Sequence, residues 1–239
     1  MNHDDRHNSS PAPSSATPHL LVTVVPLRLG AGDVEVAVLD NRGGDAELIK
    51  DLPRAEESLD VAARRIVRER LGDEGNYLEQ LYTFNRLGQS EGDVVVGHIS
   101  LFRRQRAQRE RDDVSWTSIR VVRFNDDFDH LVLDYARVRL RAKLGYTNIA
   151  FHLMPDTFTL TELQQAYERV LDHPVDKRNF RRRMTAAGVL NHINRTRRDG
   201  SHRPAALYEF VAQDDHAAYL TPSWAAQRGT TESETPVEN

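Results

Sequence analysis

Residues 159–188 have the sequence TLTELQQAYERVLDHPVDKRNFRRRMTAAG, which predicts two helices separated by a short turn. The first helix has a capping box, because Thr159 and Glu162 can each satisfy a backbone N–H that the first turn leaves unpaired. Behind the box one face is apolar, and it is formed at helical spacing by Leu163, Ala166, Tyr167, Val170 and Leu171. Pro174 then interrupts the chain, so the first helix is expected to end before it.

The second helix is strongly basic. Asp176 can cap its first turn, and Gly188 marks its end. Phe180 and Met184 lie one turn apart and can anchor the helix to an apolar core. The remaining positions are almost all cationic or polar, and they are Lys177, Arg178, Asn179, Arg181, Arg182 and Arg183.

Two extended runs follow, Leu190 to Arg197 and Arg203 to Phe210, and Asp199-Gly200 between them is a strong hairpin-turn signal. The hairpin carries Arg195, Arg197, Arg198 and Arg203. A helix, a turn, a basic helix and a basic hairpin in this order are typical of a winged helix-turn-helix, which we predict for residues 148–221. The second helix is expected in the major groove and the hairpin along the phosphate backbone. A module that contacts only protein is the alternative.

The charge of the chain is divided unevenly. Between His173 and Pro204 there are nine Lys or Arg and two Asp, a local charge of +7, so the remainder carries −11 of a total of −4. A basic module attached to an acidic domain suits a protein that contacts DNA phosphates without adhering to every polyanion. A solvated basic helix with no partner is the alternative.

Composition excludes several classes of protein. The 239 residues include no cysteine, which removes disulfides, thiol catalysis and cysteine-based zinc sites and fits a cytoplasmic protein. No apolar run is long enough to span a bilayer, and no secretory signal is recognisable, so neither a membrane nor export is expected. The Ser-, Pro-, Asn- and His-rich residues 1–18, and the similar residues 222–239, are predicted to be disordered tails.

The first half of the chain alternates strand and helix signals. Five apolar runs predict strands, namely Leu21 to Leu29, Val34 to Asp40, Tyr82 to Leu87, Val94 to Phe102 and Trp116 to Phe124. A helical period after Ser58, which can cap the helix, predicts a helix that ends at Gly72. A second helical period, which Asp126 or Asp127 can cap, predicts a helix that ends at Gly145. We therefore predict an α+β protein in which residues 19–147 form one domain.

Residues 51–72 resemble the Nudix signature, G-x5-E-x7-R-E-U-x-E-E-x-G with U aliphatic, without a gap. The matching positions are Glu57, Arg65, Val67, Glu69 and Gly72. Ile66 and Arg70 replace the two glutamates that hold divalent metal in Nudix hydrolases, and Lys50 and Asp51 replace paired glycines. Diphosphate hydrolysis of this kind needs the metal, so the resemblance implies a Nudix-like α/β/α sandwich without a metal site or catalytic activity.

The altered box has several possible roles. The candidate ligand-binding residues are Glu57, Arg65, Glu69 and Arg70. Arg65 and Glu69 can instead form a purely structural ion pair at i, i+4 spacing. Arg70 can neutralise a ligand diphosphate in place of the lost metal. The rival function is an active hydrolase with a DNA-binding appendage, whose metal ligands would come from Glu56, Glu57 and Glu69.

The order of the two domains, together with three motifs, resembles the NrtR family of Nudix-related transcriptional regulators. The motifs are Arg139 to Thr147, Phe158 to Gln164 and Asp176 to Arg182. The resemblance implies a homodimeric repressor of NAD biosynthesis genes that senses ADP-ribose, NAD or a related nucleotide. The Arg- and Ala-rich composition further suggests the actinobacterial branch that controls de novo NAD synthesis. No other cofactor is implied.

The resemblance assigns Lys177, Arg178, Asn179, Arg181 and Arg182 to the segment that reads DNA. The predicted DNA-binding residues also include Thr161, and Arg195, Arg197 and Arg198 of the hairpin. A dimer would place two basic helices about one DNA turn apart on a palindromic operator. The helix over 127–144 connects the domains and is the expected relay for the ligand. The second rival is a nucleotide sensor whose winged helix binds a protein partner.

Overall fold

The computed structural model describes residues 19–40, 45–86, 93–103, 113–198 and 204–211. In these ranges the strands are β1 (Leu20–Leu29), β2 (Val34–Asp40), β3 (Ala46–Glu47), β4 (Ile49–Asp51), β5 (Tyr77–Arg86), β6 (Asp93–Phe102), β7 (Val114–Ser118), β8 (Leu190–Arg197) and β9 (Ala205–Phe210). The helices are α1 (Leu59–Leu71), α2 (Asp127–Leu144), α3 (Leu160–Leu171) and α4 (Lys177–Ala186), and a 3-10 turn occupies Ile149–His152. No helix in these ranges is both long and apolar enough to cross a membrane.

Strand β1 lies at the centre of a seven-stranded sheet. It runs parallel to β6 over its length, and β5 is antiparallel to β6 on the far side. On its other edge, the first half of β1 pairs with β4 and the second half with β2, both antiparallel. Strand β2 also pairs with β3 and β7. The sheet is therefore mixed, with its most apolar strands, β1 and β6, side by side.

Helix α1 covers one face of this sheet. Ser58 caps its first turn by accepting a hydrogen bond from the Val61 N–H, and Gly72 ends it in the left-handed conformation at φ 71°. The side chains of Ala62, Ala63, Ile66 and Val67 pack against Val22 and Val24 of β1 in one apolar cluster. The alternation of β1 explains this contact, since every second residue of a strand points to the same face.

Helix α2 covers the opposite face. Asp126 caps it, and Val132, Leu133, Ala136, Leu140 and Leu144 form its buried side. These residues pack against Val25 and Leu27, which alternate with the residues of β1 that face α1. Two helices on opposite faces of one sheet make the α/β/α sandwich that the sequence predicts, and we call the sheet with α1 and α2 the sandwich.

Helices α3 and α4 and the hairpin of β8 and β9 form the winged helix. The capping box is present, since Thr159 and Glu162 each bond the other's backbone N–H. The Phe158 backbone bonds that of Tyr208, which holds β9 against the start of α3. The apolar cluster beneath α2 continues without a break through Leu153 and Leu163 to Phe180 of α4. The sandwich and the winged helix therefore share one core.

Several strand boundaries differ from the sequence prediction. Strand β5 begins at Tyr77, and not at Tyr82 as predicted. The sequence prediction misses its first residues because a register shift between Gln80 and Tyr82 breaks the alternation that marks a strand. The strand predicted over Trp116 to Phe124 occupies Val114–Ser118. It ends there because Ser118 already pairs with Glu35 near the start of β2, and the chain then turns. The short β3 and β4 and the 3-10 turn carry no sequence signal of their own.

Some predicted features lie outside the described residues. These are the tail over residues 1–18, the C-terminal tail over 222–239 and the hairpin turn at Asp199-Gly200. The domain boundary near residue 148 falls between the end of α2 and the 3-10 turn.

Candidate nucleic-acid interface and Nudix-like box

Helix α4 presents a cationic face because its apolar residues lie on the other side. Phe180 and Met184 are buried, and the Phe180 ring meets the Tyr167 ring edge-on with centroids 5.1 Å apart. Lys177, Arg178 and Arg182 are exposed. The Asp176 carboxylate accepts a 2.7 Å hydrogen bond from the Asn179 N–H, which fixes the start of the helix. The first turn of α4 is therefore rigidly placed, with its cations directed away from the core.

Two further hydrogen bonds hold polar side chains of this face in position. The Arg181 guanidinium donates to Thr161 Oγ1 of α3 at 3.0 Å. The Arg182 guanidinium donates to Asn179 Oδ1 at 3.0 Å, which leaves the Asn179 amide N–H₂ to donate elsewhere. These bonds restrict the rotamers that Asn179 and the arginines can adopt, and so lower the conformational entropy that binding would cost.

The hairpin, which we call the wing, carries arginines of two kinds. Arg195 and Arg198 are exposed. Arg197 is partly buried and forms an ion pair with Glu162 of α3. Burial opposes ionisation of Glu162, but the Thr159 N–H and the Arg197 guanidinium outweigh it and lower its pKa. Arg197 therefore meets a carboxylate of its own chain, whereas Arg195 and Arg198 face solvent.

The first turn of α3 connects α4 to the wing. Thr161 accepts from Arg181 of α4, and the next residue, Glu162, pairs with Arg197 of β8. Within the wing, the register of β8 against β9 shifts between His192 and Thr196, and Asn194 in this segment has a positive φ of 44°. Helix α4 and the wing are thus both bonded to the first turn of α3.

The Nudix-like box is organised around one buried arginine. Arg65 is only 8% exposed, and it donates to Glu57 Oε1 at 2.8 Å, to Asp51 and Glu69 at 3.2 Å each, and to the Leu52 carbonyl at 3.0 Å. These bonds, with that to Glu57 foremost, raise the pKa of Arg65, and the Arg65 bond lowers the pKa of Glu57. Three nearby carboxylates therefore accept hydrogen bonds from one cation of their own chain.

Ile66 and Arg70 occupy different environments although they are four residues apart on α1. Ile66 is 2% exposed and lies inside the apolar cluster between α1 and the sheet. Arg70 is partly exposed and pairs with Asp113 at 3.3 Å, at the end of the segment before β7. The predicted ligand residues Glu57, Arg65 and Glu69 are thus brought together, whereas Arg70 lies with a different partner.

The residues of the box do not fit a divalent cation. Within the part of the chain that the structure describes, no group of three or more His, Cys, Asp or Glu side chains is arranged to hold a metal ion. An apolar residue and a guanidinium supply no oxygen at the two altered positions, and hard cations such as Mg²⁺ require oxygen ligands.

The winged helix matches a known family model. Residues 150–210 match the model described as the NrtR DNA-binding winged helix domain. Over 182 residues the chain is 35% identical to the ADPR responsive transcriptional repressor NtrR of Acinetobacter baylyi, and the match covers 72% of this chain and 69% of the relative. The chain belongs to the NrtR family. The resemblance stated from the sequence motifs is thereby confirmed.

Solved structures extend this likeness to both parts of the NrtR fold. Shewanella oneidensis NrtR complexed with a 27mer DNA is 26% identical and superposes with a TM-score of 0.71, covering 80% of this chain and 93% of that one. The same protein without DNA is 25% identical with a TM-score of 0.71, covering 84% and 99%. A MutT/nudix family protein of Enterococcus faecalis, at 18% identity and a TM-score of 0.64, covers 83% and 90% and shares the fold.

Sequence reasoning missed the partners of several site residues in this NrtR-family chain. Nothing in the sequence links Arg197 to Glu162, 35 positions away, or Arg70 to Asp113. Asp51 stands where the Nudix signature has glycine, and no sequence motif predicts its bond to Arg65. The i, i+4 pair of Arg65 and Glu69 was predicted, and the structure contains it. The assignment of individual residues to DNA or to a nucleotide stays a prediction.

Proposed function

We propose that this chain is an ADP-ribose-responsive transcriptional repressor that binds DNA through its winged helix. The observation that carries the proposal is that α4 and the wing both bond the first turn of α3, and that each of them carries exposed cations. Those cations are Lys177, Arg178, Arg182, Arg195 and Arg198. The name of the Acinetobacter baylyi relative and the complex of Shewanella oneidensis NrtR with DNA support it.

In the proposed complex, α4 enters the major groove with Asn179 at its leading turn. An amide beside an arginine can bond the edge of an adenine or guanine, whereas Lys177 and Arg178 at the first turn are suited to phosphate. The wing contributes Arg195 and Arg198 along the backbone. Arg197 and Arg181, which bond Glu162 and Thr161, hold these elements at a fixed angle.

We infer that the sandwich binds the nucleotide without hydrolysing it. Ile66 is buried in an apolar core, and the carboxylates of the box are bonded to Arg65, so metal-assisted attack on a diphosphate has no ligand set there. Arg70 is the residue we assign to the ligand diphosphate, because its partner Asp113 is about half exposed and can be displaced by a more highly charged anion.

The proposed assembly is a homodimer on a palindromic operator. Two winged helices related by a twofold axis would read half-sites one helical turn apart. We place the targets among genes of NAD biosynthesis, on the strength of the family resemblance.

The first test determines the DNA site and its dependence on nucleotide. The purified protein selects duplexes from a random pool, and the enriched site is compared with upstream fragments of NAD biosynthesis genes. Fluorescence anisotropy then measures binding of the enriched duplex at fixed salt while ADP-ribose or NAD is titrated, with AMP as the control. Selective binding that ADP-ribose changes and AMP does not is the expected result. Binding without a sequence preference, or an affinity that no nucleotide alters, contradicts the proposal.

The same preparation distinguishes a sensor from an enzyme. ADP-ribose is incubated with the protein and Mg²⁺, and products are separated by chromatography. We expect intact ADP-ribose at the end of the incubation. Catalytic turnover that survives repurification and requires Mg²⁺ would instead establish the active hydrolase.

A further inference from the structure

The C-terminal end of α3 has a residue that local preferences disfavour. Asp172 caps the helix in the left-handed conformation, with φ 62° and ψ 30°, where glycine or asparagine is preferred. Its carboxylate also lies at the negative end of the helix dipole, which favours cations. The same chain uses Gly72 at the equivalent end of α1. The choice of Asp172 therefore needs a reason beyond the helix itself.

The reason is a contact with the sandwich. The Asp172 carboxylate pairs with Arg120, which follows β7, and with Arg141 of α2 at 3.5 Å. Arg120 also pairs at 3.1 Å with Asp33, in the turn between β1 and β2. One carboxylate at the end of α3 thus bonds two separate elements of the sandwich.

Two further hydrogen bonds join the C-terminal end of α3 to the sandwich. Arg141 Nε donates to the Val170 carbonyl of α3 at 2.9 Å. Arg169 of α3 donates to the Gly30 carbonyl in the turn between β1 and β2, also at 2.9 Å. We call this set of residues, Gly30, Asp33, Arg120, Arg141, Arg169 and Asp172, the Asp172 joint.

The joint is placed to transmit movement to α4. Only four residues separate Asp172 from the first residue of α4, and they are held to α3 by a 3.0 Å bond from the Val175 N–H to Glu168. A rotation of α3 about its C-terminal end therefore carries α4 with it. The side chains that form the ion pairs of Asp172 are 35% to 55% exposed, so water and salt weaken these pairs, and a modest change in the sandwich can rearrange them.

We propose that Asp172 is the positioning residue through which the state of the sandwich sets the orientation of α4. This inference rests on the proposed function. A nucleotide that shifts the turn between β1 and β2, or α2, alters the partners of Asp172 and so the angle at which α4 meets DNA. A ligand changes DNA affinity only through such a difference between two states.

The experiment measures a coupling ratio, defined as the Kd for the enriched duplex with saturating ADP-ribose divided by the Kd without it. Asp172→Asn keeps the left-handed cap and removes the charge, and Arg141→Gln removes the cation on the other side. We expect the ratio of each variant to move toward unity, to about a third or less of the wild-type effect, while ADP-ribose binding by calorimetry stays within about twofold. The double variant is expected to lose no more than either single one, as residues of one pair should.

The matched control is Arg137→Gln. Arg137 lies one turn before Arg141 on α2 and pairs with Asp134 of the same helix, so it makes no described bond across the joint. Its coupling ratio is expected to equal that of the wild type. A wild-type ratio in both Asp172→Asn and Arg141→Gln would overturn the inference while leaving the proposed function intact. A ratio of one in the unaltered protein would instead refute the proposed nucleotide response itself.

Discussion

Arg197 of the wing forms an ion pair with Glu162, the same carboxylate that closes the capping box of α3. An arginine that is paired with a carboxylate of its own chain attracts a DNA phosphate less strongly than an arginine that faces solvent. The pair instead fixes the wing relative to α3 and, through Thr161 and Arg181, relative to α4. This relationship separates the arginines that we expect to contact DNA from those that position the contacts.

Salt dependence distinguishes the two kinds of arginine. Each phosphate contact adds about 0.9 to the slope of log affinity against log salt concentration. We expect Arg178→Ala and Arg195→Ala to lower the slope by about 0.9 each, and Arg197→Ala to weaken binding with a change of less than about 0.3. The measurement is anisotropy with the enriched duplex at four salt concentrations. A full unit of slope lost in Arg197→Ala would assign that residue to phosphate.

The Glu162 pair should depend on pH in a defined window. Because the folded-state pKa of Glu162 lies below its ordinary value of 4.5, its stabilisation is present above about pH 4.5 and is lost as pH falls through the lowered pKa. Glu162→Gln should reduce the free energy of unfolding by about 0.5 kcal/mol at pH 7, after allowance for solvent screening. The difference from wild type should shrink below pH 4.5, as measured by urea unfolding. Arg197→Gln is the control: it removes the ion pair but keeps the Thr159 N–H bond to Glu162, so it should show a smaller pH-dependent difference in the same direction.

Arg65 is expected to stabilise the box more than any surface arginine near it. Arg65→Ala removes the cation that bonds Asp51, Glu57 and Glu69 and leaves like charges close together. We expect the urea midpoint to fall by about 1 M. Arg54→Ala is the control, since the Arg54 side chain is 62% exposed and pairs with Glu69, while its backbone bond to Glu57 is kept in the variant. Its midpoint should change by less than about 0.2 M. Equal midpoint shifts in Arg65→Ala and Arg54→Ala would contradict the expectation that the buried arginine stabilises the box more than the exposed one.

Restoring the Nudix glutamates should not restore an enzyme. Ile66→Glu places a carboxylate in the apolar core beneath α1 and should cost more than about 3 kcal/mol of unfolding free energy. Arg70→Glu lies at the partly exposed end of the helix and should cost about 1 kcal/mol or less. We expect neither the single variants nor the double variant to hydrolyse ADP-ribose with Mg²⁺. A stably folded Ile66→Glu variant with turnover would show that a carboxylate at this position can serve as a metal ligand.

Arg70 itself is open to a direct test of ligand contact. If it bonds the ligand diphosphate, Arg70→Ala should raise the Kd for ADP-ribose by about tenfold, the usual loss for one charge-assisted contact. Arg68→Ala is the control, because Arg68 is on the same helix and pairs with Glu74. Isothermal calorimetry gives both values. Unchanged affinity in Arg70→Ala, with Arg68→Ala also unchanged, would remove Arg70 from the site.

The sequence predicts what depends on neighbouring residues. The caps at Ser58 and Asp176 and the capping box at Thr159 lie where the sequence predicts them, because each is determined within one helical turn. Of the two caps that the sequence allows for α2, the structure has Asp126. The two-domain order and the inward faces of α1 to α4 follow from the same short-range patterns.

Long-range pairing could not be predicted in this way. Arg197 with Glu162, Arg70 with Asp113 and Arg120 with Asp172 join residues that only the complete fold brings together. Charged residues are numerous in this chain, and spacing along the sequence does not select one partner from many. The register shifts of β5 and β8 could not be predicted from the sequence either. An extra residue in a strand leaves the residue types typical of a strand and changes only which residues pair.

The apolar core that continues from the sheet through α2 into α3 and α4 limits how the domains can be exchanged between related proteins by recombination. A winged helix transplanted from a relative would bring a surface shaped for a different sandwich. In the reverse exchange, a foreign sandwich would leave Leu163 and Val170 of this winged helix without their neighbours. Recombination near residue 148 would therefore produce two halves that fit poorly, although the chain there looks like an ordinary boundary. The sandwich and the winged helix therefore have to change together, by small substitutions on both sides of one shared interior.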